Sequence, residues 1–294
     1  MSRYVSRHAG VGYVPAVDVG RTYPSGVPCW IDIEPQDAGK AQEFYAGLFG
    51  WTFSDAMPPN APGFYLIAQL DGQDIGAIGS PAPFSTGAWN TYIAVDDVDA
   101  ATLSAETAGG TVTGPPQGAG PAGRGAEVLD PTGARFRLWQ ARRRLGAQMV
   151  NAPGSWNFSD LHTAAPAAAR AFYEPLFGWE ADELGGGVAM WRRPGYGDHL
   201  ASTIDPGIVE RQAAVSAPPG FADAIAWLAP LSEQEEPHWH VTFAVADRDD
   251  AVATAGKLGA RVISGPHDDE WTKYAVVRDP QGAVLTLSQF DPKA

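Results

Sequence analysis

The chain repeats itself, and the repeat limits what it can fold into. Phe44-Tyr45-(x)2-Leu48-Phe49-Gly50-Trp51 returns as Phe172-Tyr173-(x)2-Leu176-Phe177-Gly178-Trp179. Farther along, Trp89-Asn90-Thr91-Tyr92-Ile93-Ala94-Val95 returns more loosely as Trp239-His240-Val241-Thr242-Phe243-Ala244-Val245. Each half then closes on Asp-Pro-x-Gly-Ala, at Asp130–Ala134 and Asp279–Ala283. Order is kept and spacing is similar, so the halves are homologous domains. A length of 294 residues, at roughly 100–200 per domain, suggests the same number. The reading is an N-terminal arm at 1–27, a first domain at 28–142, a linker at 143–154 and a second domain at 155–292 with an insert at 206–237.

Within each half the pattern runs strand, helix, strand, strand, strand, and then repeats. Cys29-Trp30-Ile31-Asp32-Ile33 is β-preferring, and Asp37 is placed to cap a helix whose apolar residues Ala41, Phe44, Tyr45, Leu48 and Phe49 fall on one face. Gly50 stands where helices stop. Phe64–Ala68 and Ile75–Ile78 flank an Asp71-Gly72 turn signal. Residues 89–140 repeat the plan, with Asp97 capping a helix that ends before Gly109-Gly110. In the insert, Phe221–Leu228 reads as a short amphipathic helix, and the insert as a whole is either a lid or surface elaboration. The arm, polar and Gly-rich, reads as flexible or loosely docked.

The formal net charge of −14 disfavours nucleic acid and anionic membranes as partners. A single cysteine, Cys29, permits no disulfide within the chain, and no run of apolar residues has the length of a signal or membrane segment. A cytoplasmic monomer or homodimer with a small-molecule ligand is expected.

The four βαβββ units, the FY-x2-LFGW phrase and the Asp-Pro-x-Gly turn before each last strand together resemble the vicinal oxygen chelate superfamily, which includes glyoxalase I, bleomycin-resistance proteins and extradiol dioxygenases. The resemblance spans 27–140 and 153–291. It implies an α+β fold of two tandem glyoxalase-like domains, each a cupped, incomplete barrel with its ligand in the cup. It also implies metal ligands, typically His, Gln or Glu, on the opening and last strands of each unit. Those positions here hold Trp30, Asn90 and Arg137 in the first domain, and Phe158, His240 and Thr286 in the second. The fourth-strand positions, read near Gly76–Ile78 and Leu200–Thr203, offer no carboxylate or imidazole. Divalent cations need several O or N donors around one point, so no metal and no cofactor is expected. His162, His238 and His240 could gather in one cup; the plainer reading is a strand start with one exposed and one packed histidine.

Strand alternation puts Asp32 on the face of Trp30, and Asp160 and His162 on the face of Phe158. Asp is disfavoured inside a strand and costly to bury alone, so Asp32 is expected to pair with Arg137, while Asp160 should find His162 or His240. Such groups are either structural braces or proton-handling groups. The candidates for chemistry are Asp32, Asp160, His240 and Arg137. Trp30, Asn90, Tyr92, Trp139, Phe158, His162, Thr242 and Thr286 are the candidate ligand contacts. Ten tryptophans, among them Trp30, Trp89, Trp139, Trp156, Trp239 and Trp271, suit either cores or a pocket for a flat molecule.

The expected function is a metal-independent enzyme acting on a small aromatic or apolar metabolite by isomerase, cyclase or lyase chemistry, with secondary metabolism as its setting. A non-catalytic binding or sequestering protein and a metal-dependent glyoxalase or dioxygenase are the alternatives.

Overall fold

A computed structural model of the chain describes residues 20–81, 87–215, 217–232 and 235–293. In the first domain β1 (Pro28–Ile33) leads into α1 (Ala38–Phe49), β2 (Thr52–Asp55), β3 (Tyr65–Leu70) and β4 (Gln73–Gly79). The unit repeats as β5 (Trp89–Ala94), α2 (Val98–Thr107), β6 (Thr111–Gly118), β7 (Gly123–Leu129) and β8 (Arg135–Ala141). The second domain runs β9 (Trp156–Thr163), α3 (Pro166–Phe177), β10 (Glu180–Gly185), β11 (Val188–Arg192), α4 (Tyr196–Thr203), α5 (Ile208–Ala214), a 3-10 turn at Phe221–Asp223 and β12 (Ala224–Pro230). It ends with β13 (His238–Ala244), α6 (Arg248–Lys257), β14 (Arg261–Asp268), β15 (Thr272–Arg278) and β16 (Val284–Phe290).

Each domain is one eight-stranded sheet. The orders, β2-β3-β4-β1-β5-β8-β7-β6 and β10-β11-β12-β9-β13-β16-β15-β14, are the same arrangement twice, and neither sheet closes into a barrel. The opening strands of the two units lie antiparallel at the centre, β1 on β5 and β9 on β13, each flanked by a parallel neighbour. The local signals act as the sequence suggests. Asp37, Asp97 and Asp247 accept backbone N–H bonds at the starts of α1, α2 and α6. Gly50 and Gly178 end α1 and α3 at φ 75° and 68°, where a Cβ would be strained.

The repeated aromatic phrase does more than pack a helix on its own sheet. Phe44, Tyr45, Phe49 and Trp51 share one core with Phe243, Leu285 and Leu287 of the second domain, while Phe172, Tyr173, Phe177 and Trp179 share another with Ile93, Phe136 and Leu138 of the first. The two halves are therefore locked helix-face to helix-face. Tyr45 Oη donates to Asp279 Oδ2 and Tyr173 Oη to Asp130 Oδ2, both at 2.9 Å, so each Phe-Tyr phrase is tied to the Asp-Pro turn of the other domain. Trp89 and Trp239 donate to those same phenols at 3.0 Å, which places both indoles in the shared core and not in a cup. Trp156 is likewise buried in the core.

Removing one phenol strands a buried carboxylate oxygen and an indole N–H together. Tyr45→Phe should cost about 2–4 kcal/mol in urea unfolding, Tyr173→Phe the same, and the double variant roughly the sum.

Three expectations need correction. The described end of the arm is docked, not loose. Gly26 N donates to Ala94 O at 2.8 Å, Trp179 Nε1 donates to Gly26 O at 2.6 Å, and Tyr23 Oη donates to Ala147 O at 2.7 Å. In the second domain the linker plays the same part, with Gly154 N donating to Ala244 O at 2.8 Å and Gly154 O accepting Trp51 Nε1 at 2.7 Å. The arm's remaining residues, 1–19, lie outside the described residues. The insert is also displaced from 206–237. The segment with no counterpart in the first domain is 193–223, and Phe221–Leu228 is a 3-10 turn running into strand β12. An apolar run of that length fits a buried strand as well as a helix. No helix among the described residues is long and apolar enough to cross a membrane.

Candidate functional site

Because the helix-bearing faces meet, the two concave faces point away from each other. In the first cup Asp32 is fully buried on the central strand. Its Oδ1 accepts Asn90 Nδ2 at 2.8 Å, and its Oδ2 accepts Tyr92 Oη at 2.5 Å and Tyr65 Oη at 3.0 Å. Arg137 Nη1 donates to both oxygens at 3.1 and 3.3 Å. The guanidinium continues to Glu34 at 2.8 Å and Glu127 at 3.3 Å, and Trp30 Nε1 donates to Tyr65 Oη at 2.9 Å. Trp139 packs edge-on to Tyr92 and donates to Arg144 O.

This cup is filled by its own polar network. Burial, reinforced by Asp32, pushes the Tyr65 and Tyr92 phenols well above their ordinary range, so both are donors. Burial also pushes Glu34 up, against the pull of Arg137. Burial opposes the Arg137 charge, yet Asp32, Tyr92 and Glu34 hold it above its usual range. The expected Asp32–Arg137 pair exists, and it reads as the structural brace. An ion pair is retained at a buried position when further hydrogen bonds satisfy it, as they do here.

The second cup keeps the aspartate and has lost each partner. By the repeat, His240 stands for Asn90, Thr242 for Tyr92 and Thr286 for Arg137. Thr242 reaches Asp160 Oδ2 only at 3.5 Å, and Thr286 Oγ1 sits 2.8 Å from His240 Nε2 instead. Asp160 Oδ1 is sealed from solvent and has no partner among the described residues. Neither His162 nor His240 pairs with it, contrary to expectation. Although Asp160 lies directly opposite His240 in the strand register, the imidazole turns to Thr286.

Electrostatics follow from that geometry. Burial pushes the Asp160 carboxyl up to about 7, opposed only by the Thr242 hydroxyl. Burial, with neighbouring His238, holds His162 down at about 4; burial, with His162 and His238, holds His240 at about 3. His162 lies between the other two rings, 4.9 Å from His238 and 5.3 Å from His240. At neutral pH the cup thus offers neutral imidazoles beside a carboxyl poised between its two forms.

One wall is aromatic. Phe158 on β9 lies 5.9 Å from Trp227 on β12 and 6.5 Å from Phe221, and Phe221 and Trp227 lie 6.2 Å apart. Phe221 comes from the insert, so the insert shapes the rim of this cup and the first cup has no equivalent. The sequence reading missed Phe221 and Trp227 because it took the stretch as a helix and placed the fourth strand at Leu200–Thr203, which is α4. Tyr65, Glu34 and Glu127 were missed in the first cup. The same-face spacing of Glu34 with Asp32 was the one available signal.

The residues present do not fit the metal of the resembled superfamily. The opening- and last-strand positions give Trp30, Asn90 and Arg137 in one cup, and Phe158, His240 and Thr286 in the other. The true fourth strand, Ala224–Pro230, carries no imidazole or carboxylate either. Among the described residues no three His, Cys, Asp or Glu side chains are arranged to hold an ion.

Comparison with known proteins agrees with the architecture. Residues 30–138 match the model of the Glyoxalase/Bleomycin resistance protein/Dioxygenase superfamily, and residues 156–288 match that of a glyoxalase-like domain. CFP32 of Mycobacterium tuberculosis, described as a glyoxylase, is 36% identical over 279 residues, covering 92% of this chain and 97% of that protein. The anthracycline biosynthesis protein DnrV of Streptomyces peucetius is 32% identical over 286 residues, covering 91% and 94%. Among solved structures, a Mn(II)-bound glyoxalase from Novosphingobium aromaticivorans superposes with a TM-score of 0.57 at 17% identity, covering 90% of this chain and 82% of that one. The 2,3-dioxygenase LapB from Pseudomonas sp. KL28 gives 0.57 at 12% identity, covering 93% and 98%. At these identities the two structures attest the fold alone.

Proposed function

Since the chain belongs to the glyoxalase, bleomycin-resistance protein and dioxygenase superfamily and carries two of its domains in tandem, we propose that it is an enzyme whose second cup performs general acid–base chemistry on a small aromatic metabolite without a metal. The carrying observation is Asp160. A buried carboxylate with one unsatisfied oxygen and a pKa of about 7 is costly to a fold and suited to proton transfer at neutral pH. Phe158, Phe221 and Trp227 would hold a planar ring, and the Asp160 carboxyl would take a proton from an acidic C–H or O–H of the substrate. His240, braced through Nε2 by Thr286, and the Nε2 side of His162 would offer neutral hydrogen-bonding groups to the oxygen that gains charge. Abstraction of a proton α to a carbonyl is the step these groups can share, and isomerisation, cyclisation and elimination all begin with it. The similarity to an anthracycline biosynthesis protein supports an aromatic ketone as the substrate class.

In deuterated buffer, the protein should exchange the acidic C–H of phenolic aromatic ketones, with kcat/KM rising through pH 7 and falling about tenfold per pH unit below it. Asp160→Asn should bind the same ketone and exchange nothing. Binding without exchange by the wild type would identify a sequestering protein. Phe221→Ala should weaken ketone binding about tenfold, as titrated by tryptophan quenching, because it removes one face of the ring-binding wall.

A further inference from the structure

A second site lies where the insert meets the arm and the linker. A cleft of about 380 Å3 is lined by Arg21 from the arm, Val150 and Asn151 from the linker, and Leu200, Ile208 and Gln212 from the insert. It lies apart from both cups and shares none of their residues. Two cations and one carboxylate, Asp205, border it, and the cations differ. Arg211 is spent on Asp205, donating through both terminal nitrogens at 2.7 and 2.5 Å. Arg21 has no carboxylate within ion-pair distance among the described residues. Its Nη2 donates to Tyr196 Oη at 3.2 Å, its guanidinium lies 5.5 Å from the centre of the Tyr23 ring, and its Nε is sealed from solvent with no partner.

A half-buried guanidinium with no carboxylate in ion-pair contact among the described residues, beside a cleft with polar and aliphatic sides, is an incomplete ion pair. We infer that this cleft binds a small organic carboxylate, its anion on Arg21 and its hydrocarbon part against Val150, Leu200 and Ile208. The planar fork of arginine suits a carboxylate, and the aliphatic lining distinguishes an organic acid from a bare inorganic anion. The cleft exists because the second domain alone has an insert. The first domain's equivalent surface lacks α4 and α5, so duplication alone would not have produced it.

Benzoate, titrated calorimetrically into the full chain, is the probe. Wild type should bind it, and benzyl alcohol, of the same shape without the charge, should bind at least tenfold more weakly. Arg21→Gln, which keeps a donor for Tyr196, should weaken benzoate at least tenfold. Gln212→Trp, which blocks the cleft from its rim, should do the same if the first variant folds poorly. Phe221→Ala, which opens the aromatic wall of the cup and does not touch the cleft, should leave benzoate affinity unchanged. Absence of benzoate binding to wild type overturns the site, as does equal binding of benzyl alcohol. Loss of binding in Phe221→Ala with retention in Arg21→Gln would place the benzoate in the cup and overturn the site too, leaving the acid–base reading of Asp160 untouched.

Discussion

Asp160→Asn is expected to make the protein more stable and inactive at once. The carboxyl is raised from its ordinary 3.8 to about 7 by burial. Below the lower value it is protonated in both folded and unfolded chains and costs nothing. Between the two values the unfolded chain gives up its proton first, so wild-type stability falls as pH rises; above about 7 the penalty is constant. The whole penalty amounts to as much as roughly 4 kcal/mol. His162 and His240 work in the opposite direction. Held at about 4 and about 3 against an ordinary 6.5, they cost stability as pH falls below 6.5. The comparison is therefore cleanest near pH 8, where both imidazoles are neutral in either state. There, urea unfolding should show Asp160→Asn more stable than wild type by up to roughly 4 kcal/mol, with the gap closing toward pH 4. Turnover should fall by a factor on the order of 100 to 10,000, the usual contribution of a positioned base. A merely structural carboxylate would show neither the gain nor the loss.

Arg137→Met should do the reverse. It removes the cation that pairs with Asp32 and Glu34, leaving fully buried Asp32 on two phenols and an amide. Breaking a buried pair from one side costs about 3–5 kcal/mol, because the abandoned charge keeps its desolvation penalty. The loss should be largest at neutral pH and shrink in acid, as Glu34, whose carboxyl burial pushes up, takes up its proton. Turnover in the second cup should persist at temperatures where the variant remains folded. If Arg137→Met also abolished turnover at full folding, the first cup would be a working site and not a brace.

Much of this was legible in the sequence because it is local or periodic. The repeat gave the domains, the capping aspartates gave the helix starts, and strand alternation put Asp32 and Asp160 on cup faces. Pairing of Asp32 with Arg137 followed from the last-strand position of Arg137. What could not be read was who meets whom across the duplication. Tyr45 and Asp279 are 234 residues apart, and either Phe-Tyr phrase could have met either Asp-Pro turn. The isolation of Asp160 was hidden for a related reason. A threonine in place of a tyrosine says that a hydroxyl is still present, and only distance shows that it reaches Asp160 weakly, at 3.5 Å, and leaves Oδ1 alone. The apolar run at Phe221–Leu228 carries no periodicity strong enough to separate strand from helix, and the aromatic wall was lost with it.

The central claim is that one ancestral carboxylate was sealed by partners while its twin was left alone for chemistry. Carboxyl carbon-13 titration of Asp160, assigned by comparison with Asp160→Asn, tests this directly. A midpoint near 7 is the predicted result; a midpoint at or below the ordinary 3.8 of an aspartate would mean that Asp160 has a partner and would contradict the account.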